Sequence, residues 1–141
     1  MKIVRIIALC VGALLVTAMS CNGGGGIQAD LTVGGIGLPA VECPTGAGSC
    51  VTTVDVTVEN IGAGFAGVFN VRVTFDPAQS VVVNRAVPGL AAGASTTFTV
   101  ASPPGGNCFD PDCTVSVLAD DANEVPESNE TNNEDSQTRI G

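Results

Sequence analysis

The sequence predicts an all-β domain, and three observations carry that prediction. Apolar and polar residues alternate with period two in its clearest segments. Glycine- and proline-rich turns separate those segments at regular intervals. No helix-length apolar stripe occurs after Cys21.

Taken in order, the chain begins with a different kind of segment. Lys2 and Arg5 form a charged head, Ile6–Val16 is an apolar run, and Ala18-Met19-Ser20 are small residues before Cys21. This order is that of a secretory signal over residues 1–20. The run is too short to span a bilayer, which takes about 20 apolar residues. Ala18-Met19-Ser20-Cys21 resembles a bacterial lipobox, in which the cysteine is acylated and becomes the first residue after cleavage. Ala18-x-Ser20 also has the spacing that an ordinary signal peptidase accepts. Cysteine parity favours lipidation of Cys21. Cleavage leaves Cys21, Cys43, Cys50, Cys108 and Cys113, an odd number, and acylation of the first leaves four to pair. Asn22 and Gly23–Gly26 follow as a flexible tether, so residues 21–26 are read as lipidated cysteine plus linker.

Residues 27–141 are read as one sandwich domain. Thr53-Val54-Asp55-Val56-Thr57-Val58-Glu59 puts valines on one face, and Phe69–Asp76 repeats the pattern. Such alternation marks half-buried antiparallel strands. Weaker strands are expected at Ile27–Val33, Ser80–Val87, Ala94–Ala101, Thr114–Ala119 and Asp135–Ile140. The turns between them are Asn60–Gly64, Asp76-Pro77, Pro88–Gly93 and Pro103–Asn107. About seven short strands with regular turns suggest an immunoglobulin-like antiparallel β-sandwich. Phe65, Phe69, Phe75 and Phe98 are expected in its core beside Val, Leu and Ile.

Composition narrows the function. The chain carries 14 acidic and 5 basic side chains, a formal charge of -9, and no His, Trp or Tyr. Beyond Cys21 it has no Lys, and its cations are Arg72, Arg85 and Arg139. Nucleic acid needs Lys/Arg patches and is not expected as a partner. No His or Lys remains to activate a nucleophile, so no enzyme is expected and no catalytic residue is assigned. The spacings C-x6-C and C-x4-C are not zinc-knuckle spacings. In an exported chain they suit disulfides. Local pairs, Cys43–Cys50 and Cys108–Cys113, are favoured, and the two cross-pairings stay open.

Half of the acids fall in residues 120–135, interleaved with Asn123, Asn129, Asn132 and Asn133. Two exposed charges about 8 Å apart repel by roughly 0.5 kcal/mol in water. Backbone N–H donors offset such repulsion, and so does calcium, which takes oxygen ligands of these types. Asp120, Asp121, Asn123, Glu127 and Glu130 form the candidate calcium set. It does not follow the EF-hand, because Val125 and Pro126 stand at a ligand position and the glycine position. The other reading is that these side chains cap turns. Apart from calcium, no cofactor is expected.

Several of these stretches resemble one family. Ala29–Val33 resembles its opening strand, Val54–Gly62 its second strand running into an Asn-x-Gly turn, and Val87–Ser95 its Pro-Gly-Leu turn. Most specific is Asp120–Asn133, similar to a "D-x-x-N-x-V-x-E-S-N-E-x-N-N" ending. The family is the bacterial cell-adhesion-related domain, CARDB. The resemblance implies an immunoglobulin-like domain used on bacterial surfaces for adhesion or spacing, with no shared catalytic chemistry. The cysteine-bearing loops at 43–50 and 107–113 depart from it. The expectation is a lipoprotein held in the cell envelope by its lipid, periplasmic or at the surface, binding a protein or polysaccharide. A calcium-dependent adhesion module and a purely structural surface protein are the alternatives.

Overall fold

The computed structural model describes residues 26–44, 47–76, 81–109 and 111–141. The stretches read as signal and tether, residues 1–20 and 21–26, lie outside the described residues except for Gly26. Among the described residues eight strands form two antiparallel sheets: β1 (Leu31–Ile36), β2 (Ala40–Glu42), β3 (Val51–Asn60), β4 (Phe69–Asp76), β5 (Val81–Val87), β6 (Ser95–Ala101), β7 (Cys113–Ala119) and β8 (Glu134–Arg139). In one sheet β1 and β2 lie in line along one side of β3, with β6 on its other side. The second sheet has the order β5-β4-β7-β8.

Period-two patterning builds the core as expected. In β3 the buried residues are Thr52, Val54, Val56, Val58 and Asn60. From the facing sheet come Phe69, Val71, Val73 and Phe75 of β4, and Cys113, Val115, Val117 and Ala119 of β7. Leu31, Val87, Leu90, Val100 and Val125 close the cluster. Each fully buried Val, Leu or Phe contributes about 1.5–3 kcal/mol relative to exposure. Two phenylalanines depart from expectation. Phe98 is only partly buried against the core, and Phe65 is exposed on the β3–β4 loop, where no strand alternation directs it inward.

Two elements differ from the sequence reading. The first strand runs Leu31–Ile36 rather than Ile27–Val33. Residues 27–30 are bound instead by neighbouring loops: Gly64 N–H donates to Gln28 O at 2.7 Å, and Ser128 N–H to Ala29 O at 2.8 Å. The short β2 is additional. Ten-residue β3 outruns β1, and the chain after Pro39 pairs with the remainder, Ala40 opposite Thr53 and Glu42 opposite Val51.

Cysteines pair locally, Cys43 with Cys50 and Cys108 with Cys113. Cys108 and Cys113 belong to the core. Chain-entropy loss gives each short loop about 2–2.5 kcal/mol. Buried Thr52 holds the second cysteine loop in place. Its Oγ1 accepts the Cys108 N–H at 3.0 Å, and its own N–H donates to Ser102 Oγ at 2.9 Å.

Strand direction sorts the loops into two ends. The entering segment 26–30 and the β3–β4, β5–β6 and β7–β8 loops share one end. Both disulfides, the β6–β7 loop and residues 140–141 lie at the other.

Candidate functional site

At the entering end, the acidic β7–β8 loop is held by hydrogen bonds to its own carboxylates. Asp120 is buried in a left-handed conformation, φ 49°. Its Oδ1 accepts the Glu124 N–H at 2.8 Å and its Oδ2 the Val125 N–H at 2.8 Å. Asn123 also has positive φ, 54°, and its N–H donates to Asp120 O at 2.9 Å. Asn tolerates that conformation. Asp121 lies 4.0 Å from the Arg72 guanidinium. Glu130 Oε1 accepts the Glu127 N–H at 2.8 Å.

Glu127 reaches furthest. Buried, it accepts the Leu31 N–H on Oε2 and the Asn133 amide on Oε1 at 2.8 Å. Burial pushes its carboxyl above the usual glutamate range. The Leu31 and Asn133 donors oppose that rise, and the Glu130 and Asp120 charges add to it. Asp30 completes the junction, accepting from Ser128 Oγ and the Asn132 amide, each at 2.7 Å. The loop is thus a polar clasp on the segment that enters β1.

Asp120, Asp121, Asn123, Glu127 and Glu130 are the five calcium candidates. Asp120 and Glu127 use both carboxylate oxygens on N–H donors. Among the described residues no group of three or more His, Cys, Asp or Glu side chains is placed to hold a metal ion. Two buried oxygens, Asn132 Oδ1 and Asn133 Oδ1, have no hydrogen-bond partner among the described residues.

Asn60, which the sequence presents as a turn residue, has a larger role. It is fully buried. Its Oδ1 accepts from Asp30 N–H and Gly62 N–H, both at 3.1 Å. Its amide nitrogen donates to Gly64 O at 2.8 Å, Leu90 O at 3.0 Å and Ala91 O at 3.2 Å. One side chain therefore ties three loops together. The Asn-x-Gly spacing was the available signal. A Cβ on Gly62 would stand 2.5 Å from the backbone of Ala29 and Asp30, so only glycine allows this approach.

At the opposite end, an open cleft of about 500 Å³ lies between β2 and the end of β8, lined by Ala40, Val41, Phe109, Arg139, Ile140 and Gly141. The Arg139 guanidinium lies 5.9 Å from the Phe109 ring centre and donates to Pro39 O at 2.6 Å. A cation over a ring beside exposed aliphatic side chains can seat a mixed polar and apolar partner. Asp112, next to this cleft, accepts the Gly141 N–H at 3.2 Å.

Comparison with known proteins fits this architecture. The CARDB family model matches residues 28–137. The chain belongs to the CARDB family. Two solved structures are similar. The CARDB domain of the PF1109 protein from Pyrococcus furiosus, crystallised in complex with di-metal ions, is 22% identical with a TM-score of 0.59, covering 83% of this chain and 96% of its own. A solution structure of residues 272–376 of a protein described as a cell surface protein, from Methanosarcina acetivorans, is 26% identical with a TM-score of 0.58, covering 81% and 91%. No curated protein matches. The matched span includes the clasp, Asp120–Asn133, and the Asn60 hub within Val54–Gly62.

Proposed function

We propose that this chain is a non-catalytic lipoprotein of the bacterial cell envelope, anchored through acylated Cys21, whose CARDB domain binds a protein or polymer partner. The observation that carries this reading is the separation of the two ends. The segment leading from Cys21 joins the domain beside the clasp, and the Phe109–Arg139 cleft lies at the far end. A tether on one end leaves the other turned toward partners. Composition agrees, since the chain beyond Cys21 has no His or Lys with which to run acid–base or nucleophilic chemistry. The test is crosslinking on intact cells with a carboxylate-directed reagent. One dominant captured partner, lost in an Arg139→Ala, Val41→Asp variant that still folds, supports the reading. Capture unchanged by those substitutions contradicts the cleft as the contact surface, and absence of any specific partner favours a purely structural surface protein.

A calcium-dependent module is the second reading. It is supported by the di-metal ions of the Pyrococcus relative and by the two unpartnered Asn oxygens beside Glu127 and Asp30. Binding to the folded state raises stability as RT ln(1 + [L]/Kd). On this reading millimolar calcium raises the melting midpoint and EDTA returns it. Equal midpoints in calcium and EDTA sink it.

A further inference from the structure

The two loops beside the entering segment have an unusual composition for so acidic a protein. Ile61–Val68 and Pro88–Ala94 contain only Gly, Ala, Pro, Val, Leu, Ile and Phe, without one polar side chain. They are joined into one surface. Ala66 and Leu90 exchange backbone hydrogen bonds at 2.9 and 3.0 Å, and Asn60 binds carbonyls of both loops. The Phe65 ring lies against Gly89, whose φ of +122° closes the turn beneath it. Ile27 joins them, because Gly64 packs on the Ile27 and Gln28 backbone. The surface presents Ile27 at 78% exposure, Phe65 at 68%, Val68 at 64% and Ile61 at 58%. Large apolar side chains gathered this way on a water-facing end mark a contact surface.

We propose that these uncharged loops rest on the lipid bilayer and seat the domain there, with Phe65 as their principal anchor. The proposal rests on the reading that Cys21 is acylated. Cys21 precedes Ile27 by six residues. Six residues reach about 20 Å at most, at full extension. An acyl chain at Cys21 therefore keeps this end of the domain, and not the cysteine-bearing end, within a short distance of the membrane. Apolar side chains set about 5–10 Å into the headgroup boundary are the usual form of such contact. Electrostatics fixes the tilt. Segment 27–30 bonds to Gly64 on one side and to Ser128 on the other, so it separates the uncharged loops from the acidic clasp. Anionic headgroups repel the clasp carboxylates. The domain leans onto the uncharged loops and leaves the clasp in water.

The absence of Trp and Tyr makes the test clean, because one introduced Trp is the sole indole. Phe65→Trp and, as the control at the far end, Ile140→Trp are made in the full chain. Each is isolated in its acylated form, verified by mass, and placed in vesicles of phosphatidylcholine and anionic phosphatidylglycerol containing brominated acyl chains. The expected result is blue-shifted emission from Trp at 65 that loses most of its intensity to the bromines, with Trp at 140 unquenched. Equal, unquenched emission from both positions in an acylated, vesicle-bound chain overturns the proposal and leaves the anchor standing. A blue shift at 65 that depends on protein concentration and not on brominated lipid overturns it in favour of a second copy covering this end. A chain carrying no lipid on Cys21 overturns the anchor reading and this proposal with it.

Discussion

Asn60 and Glu127 each do the work of several backbone contacts. Asn60 is the amide to which the entering segment and the β3–β4 and β5–β6 loops all bond. Asn60→Asp keeps the shape but turns a donor into a charged acceptor facing three carbonyls. Leaving buried groups unsatisfied costs about 1–3 kcal/mol each, so a loss of about 3 kcal/mol is expected in urea denaturation. A change below about 0.5 kcal/mol contradicts the hub. Glu127 gives a pH signature. Its carboxyl is raised in the fold, so the folded chain holds a proton that the unfolded chain has already released. The folded state then binds more protons, and stability from this group falls as pH rises from about 4.3, the ordinary glutamate value, through the raised one. Glu127→Gln removes that titration. Its single acceptor oxygen faces two donors, which lowers neutral-pH stability by about 1–3 kcal/mol. Unfolding free energies across this window fall more steeply with pH in the unaltered chain, and parallel curves contradict the assignment. Both residues were named in the sequence, but only as turn residue and as calcium candidate. Their roles depend on partners 30 and 96 positions away, which no local pattern contains.

At the scale of elements, β3, β4 and β7 were legible because each must bury one face and alternation records that directly. The entering strand was misplaced because apolar Ile27 precedes it, and only the clasp and Gly64 decide where pairing starts. β2 left no trace in the sequence. Its three residues are all exposed and pair only because β3 is long enough to need them. The disulfides differ in setting. Cys108 and Cys113 are fully buried, while Cys43 is exposed. Replacing Cys108 and Cys113 together with Ala removes about 2 kcal/mol of loop closure and core packing besides. The Cys43/Cys50 double replacement removes the closure and the packing of one buried cysteine, Cys50, rather than two. The first pair is therefore expected to melt at the lower temperature of the two, and the reverse order contradicts the packing described here.

For the molecule as a whole, the fold has a direction. One end carries the entering segment, the acidic clasp and the uncharged loops, and the other carries the disulfides and the Phe109–Arg139 cleft. Composition disclosed the acidity and the strands, but the two ends emerge only when antiparallel pairing sorts the loops. Phe65 shows the limit, since a phenylalanine reads as core until its loop is seen to face outward. Both the outward-turned cleft and the membrane-facing loops require the entering end to be the tethered one. Mass spectrometry of the mature protein from the membrane fraction tests this most directly. The expected N-terminal peptide begins at Cys21 with diacylglycerol on its sulfur, and Cys21→Ser releases the chain from the membrane. A mature chain with an unmodified Cys21, recovered in the soluble fraction, would contradict it.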